Sequence, residues 1–119
     1  MCATLLAAIV GSRPLQYIFE TKLDHQDSSV DAFRFKMRYL VDDQYYRNAS
    51  SGLPRPILFY AGNEGDIWDF YDNTGFISEL AAMNGGMVIY AEHRYFGKSL
   101  PFAQDVALKS PNNQWLTVE

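Results

Sequence analysis

A chain of 119 residues, 48% of them hydrophobic, is long enough to pack one domain and too short for two. A net charge of −4 argues against a general nucleic-acid binder, and no apolar run approaches the ~20 residues of a membrane helix. An aromatic content of 15% argues against disorder, and the single cysteine, Cys2, excludes an internal disulfide and a cysteine-based zinc site.

Residues 3–10 (ATLLAAIV), followed by Gly11 and Ser12, form a short apolar stretch. Residues 1–12 are therefore a candidate signal peptide, although no Lys or Arg precedes the stretch. The alternative is a frayed terminus or a misplaced start codon. Residues 17–24 read as a first strand, and residues 24–31 as a polar turn. Phe33, Phe35, Met37 and Tyr39 then alternate with Arg34, Lys36 and Arg38. Period two predicts a strand with one buried and one wet face, and the basic face reads as solvated surface. The two strands are expected to pair as an antiparallel hairpin. Residues 48–55 contain Ser, Gly and Pro and read as a loop. Within it the sequon Asn48-Ala49-Ser50 makes Asn48 a candidate glycan acceptor, and with the apolar leader it points to a secretory or lysosomal route.

Residues 56–61 (PILFYA) form a continuous apolar run, which predicts a central strand covered by helices on both faces. Ile67, Phe70, Tyr71, Ile77, Leu80 and Ala81 follow at helical spacing. The pattern breaks near Thr74 and Gly75, so two helical pieces are expected, ended by Gly85-Gly86. Residues 86–92 (GMVIYAE) read as another buried strand, parallel to the third and joined to it by a right-handed crossover. The predicted class is α/β: an antiparallel strand pair, then a parallel strand–helix–strand unit. Residues 102–119 read as irregular, and residues 116–119 as the opening of a helix. Two parallel strands alone leave an open apolar edge, so the chain reads as the front of a longer protein.

Four motifs carry candidate chemistry. Residues 92–99 (EHRYFGKS) nearly match a phosphate-binding loop, but Glu92 replaces its first glycine and would face phosphate oxygens. Gly97-Lys98-Ser99 also half-matches a nucleophile elbow, with Pro101 where the second glycine belongs. Both histidines, His25 and His93, precede Ser99, against the hydrolase order of serine, acid, histidine. Ser99 therefore reads as a loop or capping hydroxyl and His93 as a hydrogen-bonded structural residue. The histidines lack metal-ligand spacing, and no metal or cofactor is called for. The fourth motif, Gly62-Asn63-Glu64-Gly65-Asp66, lies at the carboxyl end of a strand and before a helix, where open α/β sheets place ligands. Its glycines let backbone approach a substrate, and its N–H groups could stabilise an oxyanion. Spacing alone leaves open the alternative that Asp66 caps the helix and the glycines only make the turn.

ILFYAGNEGD at 57–66, then Asn73-Thr74-Gly75-Phe76, AEHRYFGKSLPF at 91–102 and LTVE at 116–119 resemble the family of lysosomal prolyl carboxypeptidase and dipeptidyl peptidase II. Leu23-Asp24-His25 and Arg38-Tyr39-Leu40-Val41 stand in the family's order too, so the resemblance covers residues 17–119. Gln26, Phe96 and Ala103 depart from the family's usual Phe, Tyr and Gly. The resemblance implies a serine exopeptidase of α/β-hydrolase fold with a helical cap, cleaving peptides next to proline or small residues in an acidic compartment. It also implies that nucleophile, acid and histidine all lie beyond Glu119, so that none is assigned here and this chain alone is inactive. The 62–66 loop would then stand beside the active site, with Glu64 or Asp66 available to a basic substrate group. The competing reading is a non-catalytic fragment or pseudoenzyme that acts by binding. The resemblance does not separate carboxypeptidase from dipeptidyl peptidase, and it leaves the oligomeric state open.

Overall fold

The computed structural model describes residues 13–48, 52 and 54–116. The candidate leader at 1–12 and the expected helix opening at 116–119 fall wholly or largely outside this range. A four-stranded mixed sheet is built from β1 (Leu15–Lys22), β2 (Arg34–Asp42), β3 (Ile57–Ala61) and β4 (Met87–Ala91), in the order β1-β2-β4-β3. β1 and β2 pair antiparallel as expected, with Tyr17 opposite Tyr39. The turn between them is fixed by two carboxylates: Asp24 Oδ1 accepts from Gln26 N–H at 2.8 Å and Asp27 Oδ1 from Ser29 N–H at 2.9 Å. β2 is antiparallel to β4, and β3 and β4 are parallel, with Leu58 opposite Val88.

The β3–β4 crossover carries α2 (Ile67–Asn73) and α3 (Gly75–Asn84), two pieces broken at Thr74 as the periodicity predicts. α3 stops at Gly85-Gly86, where Gly86 N–H returns to the Ala81 carbonyl at 2.8 Å. Both helices contact β4. Ile67 and Ala81 pack on Leu40, Val88 and Tyr90, with Tyr60, Phe70, Tyr71 and Ile77 around them. A short helix absent from the sequence reading, α1 (Gln44–Asn48), follows β2. It opens where Gln44 N–H meets buried Asp42 at 3.2 Å. Asn48 closes this helix rather than sitting in the loop, and Ala49 and Ser50 lie outside the described residues.

Two expectations need correction. β3 is an edge strand, covered on one face only; Ile57 and Phe59 are 62% and 63% exposed. The other sheet face, with Tyr17, Phe19, Tyr39, Phe59 and Ile89, is met by described residues at one end alone. There residues 95–116 pack Tyr95, Ala107 and Trp115 on Phe35 and Met37. The basic face of β2 is also not uniformly wet. Arg34 and Lys36 are exposed, but Arg38 is buried at 4% exposure, because the start of α2 and the 92–99 turn close over that end of the strand.

Candidate active site

The parallel strands β3 and β4 end side by side at Ala61 and Ala91, and their following loops meet. Gly62 N–H donates to the Ala91 carbonyl at 2.8 Å. A Cβ at residue 62 would overlap that carbonyl and stand 2.7 Å from His93 N, so only glycine permits this approach. Within the 62–66 loop, Glu64 N–H donates to Asn63 Oδ1 and Gly65 N–H to Asn63 O, both at 2.8 Å. Asn63 and Glu64 are exposed, and Gly65 lies 3.2–3.3 Å, at its Cβ position, from the Phe70 ring. Asp66 is the N-cap of α2, its Oδ1 accepting from Trp68 N–H at 2.9 Å. The capping role is therefore real for Asp66. It leaves the outer part of the loop, Asn63 and Glu64, facing solvent.

Beneath the loop lies a charged cluster that period-two reading does not reveal. Glu92, just past β4, is fully buried. Its Oε1 accepts from Arg38 Nε at 3.2 Å, Lys98 N–H at 2.9 Å and Ser99 Oγ at 2.8 Å. Its Oε2 accepts from Arg38 Nη2 and from Ile67 N–H at 3.0 Å. The carboxylate thus joins β2, the first turn of α2 and the 97–99 turn. Such satisfaction is what permits an ion so far from water. Arg38 Nη2 also reaches Asp66 Oδ2 at 2.7 Å. Burial opposes the charge on Arg38, yet its hydrogen bonds to Glu92 and Asp66 prevail and hold its pKa above the ordinary value. Burial likewise pushes the Asp66 carboxyl up, but Arg38 and the Trp68 N–H outweigh it and the net shift is downward.

The other sequence candidates fall into structural places. Ser99 Oγ accepts from Arg38 N–H at 2.9 Å and donates to Glu92, and the residue is fully buried, so it is not poised as a nucleophile. Lys98 N–H, which a phosphate loop would offer its ligand, is given to Glu92. His93 Nδ1 donates to the Arg94 carbonyl at 2.7 Å, with its ring edge-on to Phe96. Arg94 donates to the carbonyls of Leu23 at 2.9 Å and Trp115 at 3.2 Å and to His25 Nε2 at 3.1 Å, tying the hairpin to the tail. The signal for the missed cluster was an acidic residue, Glu92, directly after a fully apolar strand. Arg38 carried no signal, because it continues the alternation of Arg34 and Lys36.

Open α/β sheets commonly place ligands beyond the carboxyl ends of their parallel strands, which is where the loops after β3 and β4 meet. The chain belongs to the serine carboxypeptidase S28 family of serine peptidases, whose pattern matches residues 21–116. It is 48% identical to lysosomal Pro-X carboxypeptidase of Mus musculus over 102 residues, which are 85% of this chain and 20% of that protein. To lysosomal Pro-X carboxypeptidase of Homo sapiens it is 40% identical over 116 residues, 98% of this chain and 22% of the relative. To the thymus-specific serine protease of Mus musculus it is 34% identical over 91 residues, 76% and 17% of the two chains. The chain thus spans about a fifth of the length of these relatives.

Proposed function

We propose that this chain is the N-terminal part of a serine exopeptidase of α/β-hydrolase fold, acting on peptides next to proline or small residues through an acyl-enzyme. Nucleophile, acid and histidine are assigned to polypeptide beyond Glu119. The open edge of β3 is where further parallel strands would join the sheet. The segment described here supplies the oxyanion side of the site. In α/β-hydrolases the loop after the third strand offers an N–H to the tetrahedral oxyanion. The 62–66 loop follows the third strand of this chain and leads into α2, and that position is the observation that supports the proposal. The N–H groups of Gly62, Glu64 and Gly65 already donate within the chain and Asp66 belongs to the cap of α2, so the oxyanion donor is assigned to the N–H of exposed Asn63. Such a donor acts because it is aimed before charge develops and needs no reorganisation.

The relatives named lysosomal support a lysosomal location; the same reading takes residues 1–12 as leader and Asn48 as glycan acceptor, on the apolar stretch and the sequon alone. The test uses the full-length protein. Gly65→Val presses a branched side chain against Phe70 and shifts the loop, and kcat is expected to fall about 10²-fold, the scale of one lost oxyanion donor. Lys36→Ala, on the exposed part of β2, should leave kcat within twofold. A folded Gly65→Val enzyme with wild-type kcat would remove the loop from the site.

A further inference from the structure

The Arg38 guanidinium stands where two functions meet. Through Nε and Nη2 it holds the buried Glu92, and through Nη2 it holds Asp66 at 2.7 Å. Glu92 is fixed independently by Ile67 N–H, Lys98 N–H and Ser99 Oγ. The guanidinium is therefore anchored on a rigid base and presents one nitrogen to the last residue of the loop. The loop's other end is anchored too, by Gly62 N–H on the Ala91 carbonyl at 2.8 Å. Only residues 63–65 lie between these anchors. Helix capping alone does not need this link: Asp66 caps α2 with Oδ1, and Arg38 takes Oδ2. The second oxygen is free of the cap and is used to tie the loop to the sheet.

We propose that Arg38 is a positioning residue for the oxyanion loop, acting through Asp66 to hold Asn63 N–H in its catalytic place. The proposal rests on the assignment of that loop to the active site. Arg38 does not touch substrate. Fixing the loop at both ends limits the drift of the donor between them, and a drift of about 1 Å suffices to cost 10²-fold in rate. Because an oxyanion exists only in the transition state, loosening the loop lowers kcat and spares KM.

The two oxygens of Asp66 allow the roles to be separated in the full-length enzyme without touching buried Glu92. Asp66→Asn keeps the cap with its one oxygen and turns an amide NH2, a donor, toward the Arg38 guanidinium, so the link is lost. Asp66→Ser keeps a good cap but is too short to reach the guanidinium. The expected result is kcat tenfold or more below wild type in both variants, with KM within twofold of wild type and matching unfolding midpoints between the two. Wild-type kcat in the two folded variants overturns the positioning role and leaves Asp66 a helix cap. Arg38→Lys gives a second measurement: it retains a charge for Glu92 but cannot fork to Asp66, and its kcat should fall as in Asp66→Ser. Wild-type kcat in folded Arg38→Lys likewise overturns the proposal. Gly65→Val, measured beside them, separates the two ideas. If it lowers kcat while the Asp66 pair keep wild-type kcat, only the positioning role fails; if it too is unchanged, the assignment of the loop to the site fails.

Discussion

Gly97 is the position at which the buried cluster is most exposed to a single methyl group. Its φ is +56°, in the left-handed region, and a Cβ there would fall against the Glu92 carboxylate, 2.5 Å from Cδ and 3.0 Å from Arg38 Nη2. Gly97→Ala therefore carries two costs. The backbone conformation costs about 1–2 kcal/mol for a residue with a Cβ. Displacing the carboxylate breaks a buried ion pair, a loss of about 3–5 kcal/mol. Partial relaxation still leaves about 4 kcal/mol, a large share of the 5–15 kcal/mol typical of a native domain. Gly75→Ala is the matched control. It opens α3, nothing lies within 4 Å of its Cβ position, and alanine is the better helix former by about 1 kcal/mol. Denaturant unfolding of the full-length protein should move in opposite directions for the two variants. A Gly97→Ala midpoint equal to that of Gly75→Ala would refute the picture of a carboxylate held tight against the 97–99 turn.

Three further outcomes follow from the same geometry. Ser99→Ala leaves the buried Arg38 N–H without its acceptor and should cost about 1–3 kcal/mol in unfolding measurements. Its kcat should fall far less than the ~10⁶-fold seen when a nucleophile is removed, and a loss of that size would make Ser99 the nucleophile after all. The Asp66 carboxyl is held below its ordinary range, so its contribution to stability is present above about pH 4 and is lost as pH falls through the lowered folded value. The stability difference between wild type and Asp66→Asn should therefore shrink on acidification below about pH 4, and a constant difference there would contradict the pairing. Finally, the isolated 119-residue chain bares Leu15, Tyr17, Phe19, Ile57 and Phe59 on one sheet face, so it should bind hydrophobic dyes and aggregate. A sharp melt of a soluble monomer would show that this face needs no cover.

The hairpin, the broken helix pair and the parallel crossover were legible because each rests on local signals: alternation at 33–39, helical spacing at 67–81, and apolar runs at 57–61 and 87–91. The cap at Asp66 was legible for the same reason. The cluster under the loop was not, because burial of Arg38 is decided by what the 92–99 turn and the first turn of α2 do 28–61 residues away. A strand pattern records which face a side chain takes and not whether anything closes over it. The exposure of β3 has the same origin. Its unbroken apolar run states a need for cover on both faces, and the described residues supply one. Asn48 shows the opposite error, since a Ser/Gly/Pro-rich neighbourhood hid the short helix that Asp42 starts.

The proposed function is tested most directly by labelling the full-length protein with a fluorophosphonate, which forms a covalent ester only with an activated serine, and mapping the modified peptide. The account predicts one labelled serine, beyond Glu119, with Ser99 unmodified. Label on Ser99, or on any serine within residues 1–119, would contradict the division of the site proposed here. A folded full-length protein that takes up no label would instead favour a binding protein over a peptidase.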